Sequence, residues 1–128
     1  MIDHVGLKAR DYQRSRDFYV AALGALGIEL LADFEAGGEH YGGFGTAEGT
    51  RFWLSSGKQM REGDTHICFT ARSRAEVEAF HMIALATGGR DNGGPGLRPH
   101  YHPNYYAAFV IDPDGNNIEA VCMGEEGR

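Results

Sequence analysis

Residues Tyr12, Ser15, Phe18, Tyr19, Ala22, Leu23 and Leu26 recur at steps of three and four, so they share one face and predict a helix. Asp11 stands where an N-cap is expected and Gly27 where the helix should stop. Val77, Phe80, Ile83 and Ala84 predict a second helix, opened by the capping-box pattern Ser73-Arg74-Ala75-Glu76 and ended by Gly88-Gly89. Elsewhere the pattern shortens to alternation. Strands are predicted over residues 2–9, 28–34, 40–45, 50–55, 64–71, 105–111 and 116–121. The last two pair as a hairpin across Asp112-Pro113-Asp114-Gly115, which carries Pro and Gly where a tight turn wants them. The stretch from Gly88 to Asn104 is rich in Gly, Pro and His and reads as loop-like, with 93–103 suited to a mobile edge. A sixth strand there is the least marked element.

The heptapeptide His4-Val5-Gly6-Leu7-Lys8-Ala9-Arg10 returns in outline as His66-Ile67-Cys68-Phe69-Thr70-Ala71-Arg72, at an offset of 62. The same offset aligns Phe18 with Phe80, Ala22 with Ala84, Leu23 with Leu85 and Gly27 with Gly89. The 128 residues therefore read as one α+β domain of two βαβββ modules, over about 1–57 and 64–123. A sheet that covers one face with its helix leaves the other free to curve into an open, barrel-like cup.

Alternation also sorts the chemistry. Val5 and Leu7 suit a covered face, which turns His4 toward the cup; Ile67 and Phe69 do the same for His66 and Cys68. Ile118 and Ala120 turn Glu119 inward. A pseudo-twofold packing of the modules would bring His4 and His66 together. Two imidazoles and a carboxylate from three strands form a facial ligand set with open positions. Such a set suits Fe(II), and with water also Zn(II), Mn(II), Ni(II) or Co(II).

Composition narrows the partners. A net charge of −6 argues against nucleic acid, whose binders show a basic stripe. No apolar run approaches membrane-spanning length, and the N-terminus has no signal-peptide layout. Cys68 and Cys122 lack zinc-type spacing and are too few for a disulfide framework; both are expected as reduced, buried thiols in a cytoplasmic protein.

The strand His4-Val5-Gly6-Leu7, the segment Thr65-His66-Ile67 and above all the run from Phe109 through Asp112-Pro113-Asp114-Gly115-Asn116-Asn117 to Glu119 resemble the vicinal oxygen chelate superfamily. That group includes glyoxalase I, bleomycin and fosfomycin resistance proteins and extradiol dioxygenases. The resemblance covers nearly the whole chain. It implies His4, His66 and Glu119 as ligands of a divalent metal, a substrate that chelates it through adjacent oxygens, and a homodimer. Two departures matter. Glyoxalase I-type enzymes take a fourth ligand from the first-half equivalent of Glu119, and matching Gly115 to Gly49 puts Trp53 there. Extradiol enzymes carry a Tyr where this chain has Phe109, although Tyr105 or Tyr106 could supply a phenol from the same strand.

Candidates for a general base are His102, Tyr105 and Glu39, with His102 or His100 matching the upstream histidine of the extradiol signature. His40, His100 and His102 otherwise read as rim residues, and His81 as packing. Tyr41, Phe44, Trp53, Tyr106 and Phe109 are the candidate substrate-pocket residues, with core packing as the other reading of these aromatics. The resulting expectation is a metal-dependent lyase, isomerase or ring-cleaving dioxygenase acting on a small molecule. The alternative is a non-catalytic binder of a cationic drug, drawn by the acidic charge.

Overall fold

A computed structural model describes residues 2–58 and 65–124. The predicted helices form α1 (Tyr12–Gly24) and α2 (Arg74–Ala86). Asp11 caps α1 by accepting from the Arg14 N–H at 3.1 Å, satisfying one of the donors that a helix start leaves over. Past its end, Gly27 adopts φ +76° and the Ile28 N–H bonds back to the Leu23 carbonyl. Ser73 caps α2 through the Glu76 N–H. The reciprocal half of that capping box differs: the Glu76 carboxylate accepts from the Arg72 N–H and guanidinium.

The strands are β1 (Val5–Ala9), β2 (Glu29–Ala36), β3 (Glu39–Thr46), β4 (Gly49–Ser56), β5 (His66–Thr70), β6 (Arg90–Leu97), β7 (Tyr106–Ile111) and β8 (Asn117–Cys122). They form two four-stranded mixed sheets, ordered β1-β4-β3-β2 and β5-β8-β7-β6, neither of them closed. In each, the strand before the helix pairs in parallel with the last strand of its module. Asp64, the expected start of the second module, lies outside the described residues.

The sixth strand, the least marked in the sequence, forms inside the segment that reads as loop-like. Residues 90–97 pair with β7 as edge strand β6, with register shifts on both sides of Gly93. Gly-rich, Pro-bearing sequence hides such a strand because its ladder is made by the backbone, without an apolar side-chain pattern. Beyond it, Arg98 N–H bonds to the Tyr105 carbonyl at 2.7 Å and Tyr101 and His102 N–H both reach the Arg98 carbonyl. The stretch expected as a mobile edge is therefore an edge strand followed by a hydrogen-bonded turn.

One apolar cluster runs through both modules, including Phe18, Tyr19, Leu23, Phe44, Phe52, Leu54, Val77, Phe80, Val110 and Ile118. Polar contacts reinforce the junction. The Asp112-Pro113-Asp114-Gly115 turn meets α1 of the other module: the Tyr19 hydroxyl donates to Asp112 at 2.5 Å, and Ser15 hydroxyl and Arg10 N–H donate to Asp114. Both carboxylates are buried, and Asp112 also accepts from the Asp114 and Asn116 N–H groups and the Asn116 amide. His81 fastens α2 to β6 through Asp91, the packing role expected of it. No helix among the described residues is long and apolar enough to cross a membrane.

Candidate metal centre

Ile118 and Ala120 point into the core, so alternation turns Glu119 to the opposite face of β8. There Glu119 is only 2% exposed. The His66 Nε2 lies 2.9 Å from its Oε1, and the Tyr105 hydroxyl donates to its Oε2 at 2.5 Å. Among the described residues no Lys or Arg pairs with this carboxylate; its ion partner is His66 alone. A buried carboxylate held by one imidazole and one phenol is short of positive charge, and buried charges are normally paired or coordinate a metal. The donor types fit a divalent cation, and His66 and Glu119 are the residues of this face that could hold one.

The third expected ligand is elsewhere. His4 precedes β1, in the other sheet, with its side chain 57% exposed and its Nδ1 against Asp3. Among the described residues no three His, Cys, Asp or Glu side chains gather closely enough to hold a metal ion. The packing of the two modules thus brings His66 and Glu119 together and leaves His4 apart from them.

Around this pair, register supplies the neighbours. Cys68 on β5 and Phe109 on β7 flank Glu119, and the His66 and Phe109 rings lie 6.3 Å apart. The expectation of a buried Cys68 is corrected: Cys122 is buried, whereas Cys68 is exposed on this face. Desolvation of its thiol, with the Glu119 charge beside it, pushes Cys68 up to about 12. At neutral pH it is a thiol and a poor nucleophile. Tyr105 is also held well above the ordinary phenol range, first by desolvation and then by its bond to Glu119. At neutral pH it keeps its proton, gives its one hydrogen bond to Glu119 and cannot serve as a base.

Of the other base candidates, His102 is exposed in the β6–β7 turn, where its Nδ1 accepts from the Asn104 N–H. Glu39 is engaged with the Ser56 hydroxyl beside the β2–β3 turn. His100 packs against Tyr101. Tyr105 alone of these touches the Glu119 carboxylate.

The aromatic candidates separate by face. Trp53 and Tyr41 join exposed Phe34 in a ring cluster on the open face of the first sheet, with Phe34 stacked on Tyr41 at 5.4 Å and edge-on to Trp53 at 6.2 Å. Phe109 is on the Glu119 face. Tyr106 is corrected off it: β7 alternation sends it to the helix side, where its hydroxyl donates to Glu78 and Arg74 lies over its ring. Phe44 also points to the helix side, where it meets Tyr19 and Phe52. It lies beneath a cleft of about 680 Å3 between the modules, lined also by Leu26, Ile28, Phe52, Phe69 and Cys68. Cys68 belongs both to this cleft and to the surroundings of Glu119, and the volume suits a small ligand.

Sequence reasoning missed Arg98, whose guanidinium lies over the Phe109 ring with its carbon 5.4 Å from the centroid. No local signal marks it, because the placement depends on the β6–β7 pairing.

Residues 1–120 match the Glyoxalase/Bleomycin resistance protein/Dioxygenase superfamily. Among solved structures, a glyoxalase/bleomycin resistance protein from Albidiferax ferrireducens T118 is 30% identical, with a TM-score of 0.76 over 94% of this chain and 97% of that one. A glyoxylase/bleomycin resistance protein/dioxygenase domain from Frankia sp. EAN1pec shares the fold at 18% identity, with a TM-score of 0.72, covering 100% of this chain and 98% of that one. Glyoxalase I from Zea mays matches at 23% identity and a TM-score of 0.71; 94% of this chain aligns, over 45% of the maize enzyme. No curated protein matches in sequence.

Proposed function

The chain belongs to the Glyoxalase/Bleomycin resistance protein/Dioxygenase superfamily, and on that premise we propose that it is a metal-dependent enzyme acting on a small oxygen-chelating molecule. The observation that carries this reading is the buried Glu119 carboxylate, which among the described residues has the His66 imidazole as its one cationic partner beside the neutral Tyr105 and Cys68. His66 and Glu119 would hold a divalent ion of iron, manganese, zinc, nickel or cobalt, which when bound would act as a Lewis acid on adjacent substrate oxygens. His4 would complete the set from a second copy in a homodimer, since within one chain it stays apart.

Proton-transfer chemistry of the lyase or isomerase kind is one form of this reading. Tyr105 stays protonated at neutral pH and gives its single O–H to Glu119, so its part would be to steady that carboxylate while another group moves the proton. Ring-cleaving oxygenation is the rival within this reading. Tyr105, just before β7, would supply the phenol that Phe109 lacks, and oxygen consumption would distinguish the two chemistries. A drug-binding role has one observation in its favour, the cluster of exposed Phe34 with half-buried Tyr41 and Trp53 in a protein of charge −6, but it gives the buried carboxylate no task.

Elemental mass spectrometry tests the proposal. The parent protein, offered each ion, should hold a divalent metal that Glu119→Ala and His66→Ala both lose. Binding of a cationic aromatic ligand without metal, unchanged in Glu119→Ala, would instead establish the binder.

A further inference from the structure

Arg98, the residue just past edge strand β6, is held firmly over the Glu119 face. One of its terminal nitrogens donates to the Gly96 carbonyl at 2.7 Å and the other to the Gly94 carbonyl at 2.9 Å. Glycines make this possible. A Cβ on Gly93, which sits at φ +147°, would come within 3.1 Å of the Phe109 ring and 3.2 Å of the Arg98 guanidinium. One on Gly96 would come within 3.3 Å of the other terminal nitrogen. Side chains at either position would push the guanidinium from the ring. Two of its five donors are used to hold it, which leaves three. Among the described residues no carboxylate pairs with Arg98, whereas Arg51 and Arg72 each have one and Arg16 has two.

Phe109 carries Arg98 over its ring and pairs in register with Glu119, with the His66 ring nearby. The order across the sheet is therefore cation, ring, carboxylate and imidazole. The Arg98 guanidinium thus lies over a ring one strand away from Glu119, on the side opposite β5. A fixed guanidinium fork matches carboxylate and phosphate oxygens, and its entropy cost on binding is largely met in advance.

We propose that Arg98 is the anion-recognising residue of this site, and that its substrate carries, besides the chelating oxygens, a second anionic oxygen group, a carboxylate or a phosphate. The chelating end of that substrate rests on the metal-site reading above; the anionic end rests on Arg98 alone.

Paired probes separate these dependences. Catechol and 3,4-dihydroxybenzoate differ by one carboxylate, and glycerate and 3-phosphoglycerate by one phosphate, with the chelating oxygens kept in each pair. Calorimetric titration of the manganese-loaded protein should show one anionic member bound roughly ten-fold or more tighter than its neutral or smaller counterpart. The pair that shows it identifies the group. Arg98→Gln should bring that ratio to about one, and Arg98→Lys, which keeps charge but loses the fork, should give an intermediate value. Thermal melts confirm that each variant is folded, and Phe109→Leu, which removes the ring under the guanidinium, should lower the ratio without touching Arg98. Equal ratios in the parent and Arg98→Gln would overturn the proposal. Glu119→Ala reads the other premise: unchanged catechol affinity there sinks the metal reading, while the Arg98-dependent ratio still stands or falls by itself.

Discussion

Trp53 and Glu119 occupy the same register position in the two modules. Trp53 lies opposite Gly6 on β1 and Gly43 on β3; Glu119 lies opposite Cys68 on β5 and Phe109 on β7. One module thus presents a carboxylate where the other presents an indole. Gly43 makes room for that indole, since a Cβ there would meet the ring at 2.8 Å. Trp53→Glu is expected to bind a divalent metal more tightly, measured by competition with a chromophoric chelator. It should lose about 0.5–1.5 kcal/mol of stability with the Phe34 ring contact. Unchanged affinity would mean that the two module faces do not share one ion.

Tyr105 orients the Glu119 carboxylate. Tyr105→Phe should keep the fold and the His66–Glu119 contact yet weaken metal binding about 10–100-fold, as loss of a partner behind a metal ligand usually does. Equilibrium dialysis against a metal buffer reads this directly.

Much of this site was legible because a strand has a period of two. Val5 and Leu7, Ile67 and Phe69, and Ile118 and Ala120 identify covered faces, and with them the open-face positions of His66, Cys68 and Glu119. Tyr106 could have been sorted by the same rule, since Ala108 and Val110 share its face in the core. What alternation could not show is how two sheets are placed against each other. That placement decides whether His4 meets His66, and it depends on contacts such as Tyr19 to Asp112, 93 residues apart. Asp112 and Asp114 read locally as turn formers, and nothing near them in sequence announces that α1 buries them. Arg98 was hidden for a related reason, its cradle being three glycines in a segment without side-chain periodicity.

The Tyr19–Asp112 bond predicts an alkaline limit to stability. Burial, with Asp112 beside it, holds Tyr19 well above its ordinary value of 10.0, and desolvation with Asp33 does the same for Tyr12. Phenols raised in the folded state keep protons that the unfolded chain releases. Their stabilisation is present below about pH 10 and declines as pH rises toward the folded values. Urea melts should show stability falling above pH 10, with a shallower fall in Tyr19→Phe. At neutral pH that variant should lose about 1.5–3 kcal/mol, the usual cost of removing a hydrogen bond to a buried charge.

The proposed sharing of His4 between copies has a test that destabilisation cannot imitate. His4→Ala and Glu119→Ala homodimers should each lack metal, since every site in them is missing one ligand. In a mixed dimer the His4→Ala chain keeps His66 and Glu119 and receives an intact His4 from its Glu119→Ala partner. One site is then whole and the other has lost two ligands. Mixing the two variants under conditions that exchange subunits should therefore restore metal to half of the dimer's sites in the heterodimer fraction. If His4 instead served its own chain, each chain of the mixed dimer would still lack one ligand, and metal content would stay at the level of the single variants. A site needing only His66 and Glu119 would show itself earlier, by normal metal content in His4→Ala. The outcome separates a site completed between subunits from one completed within the chain, because only the former draws its third ligand across the interface.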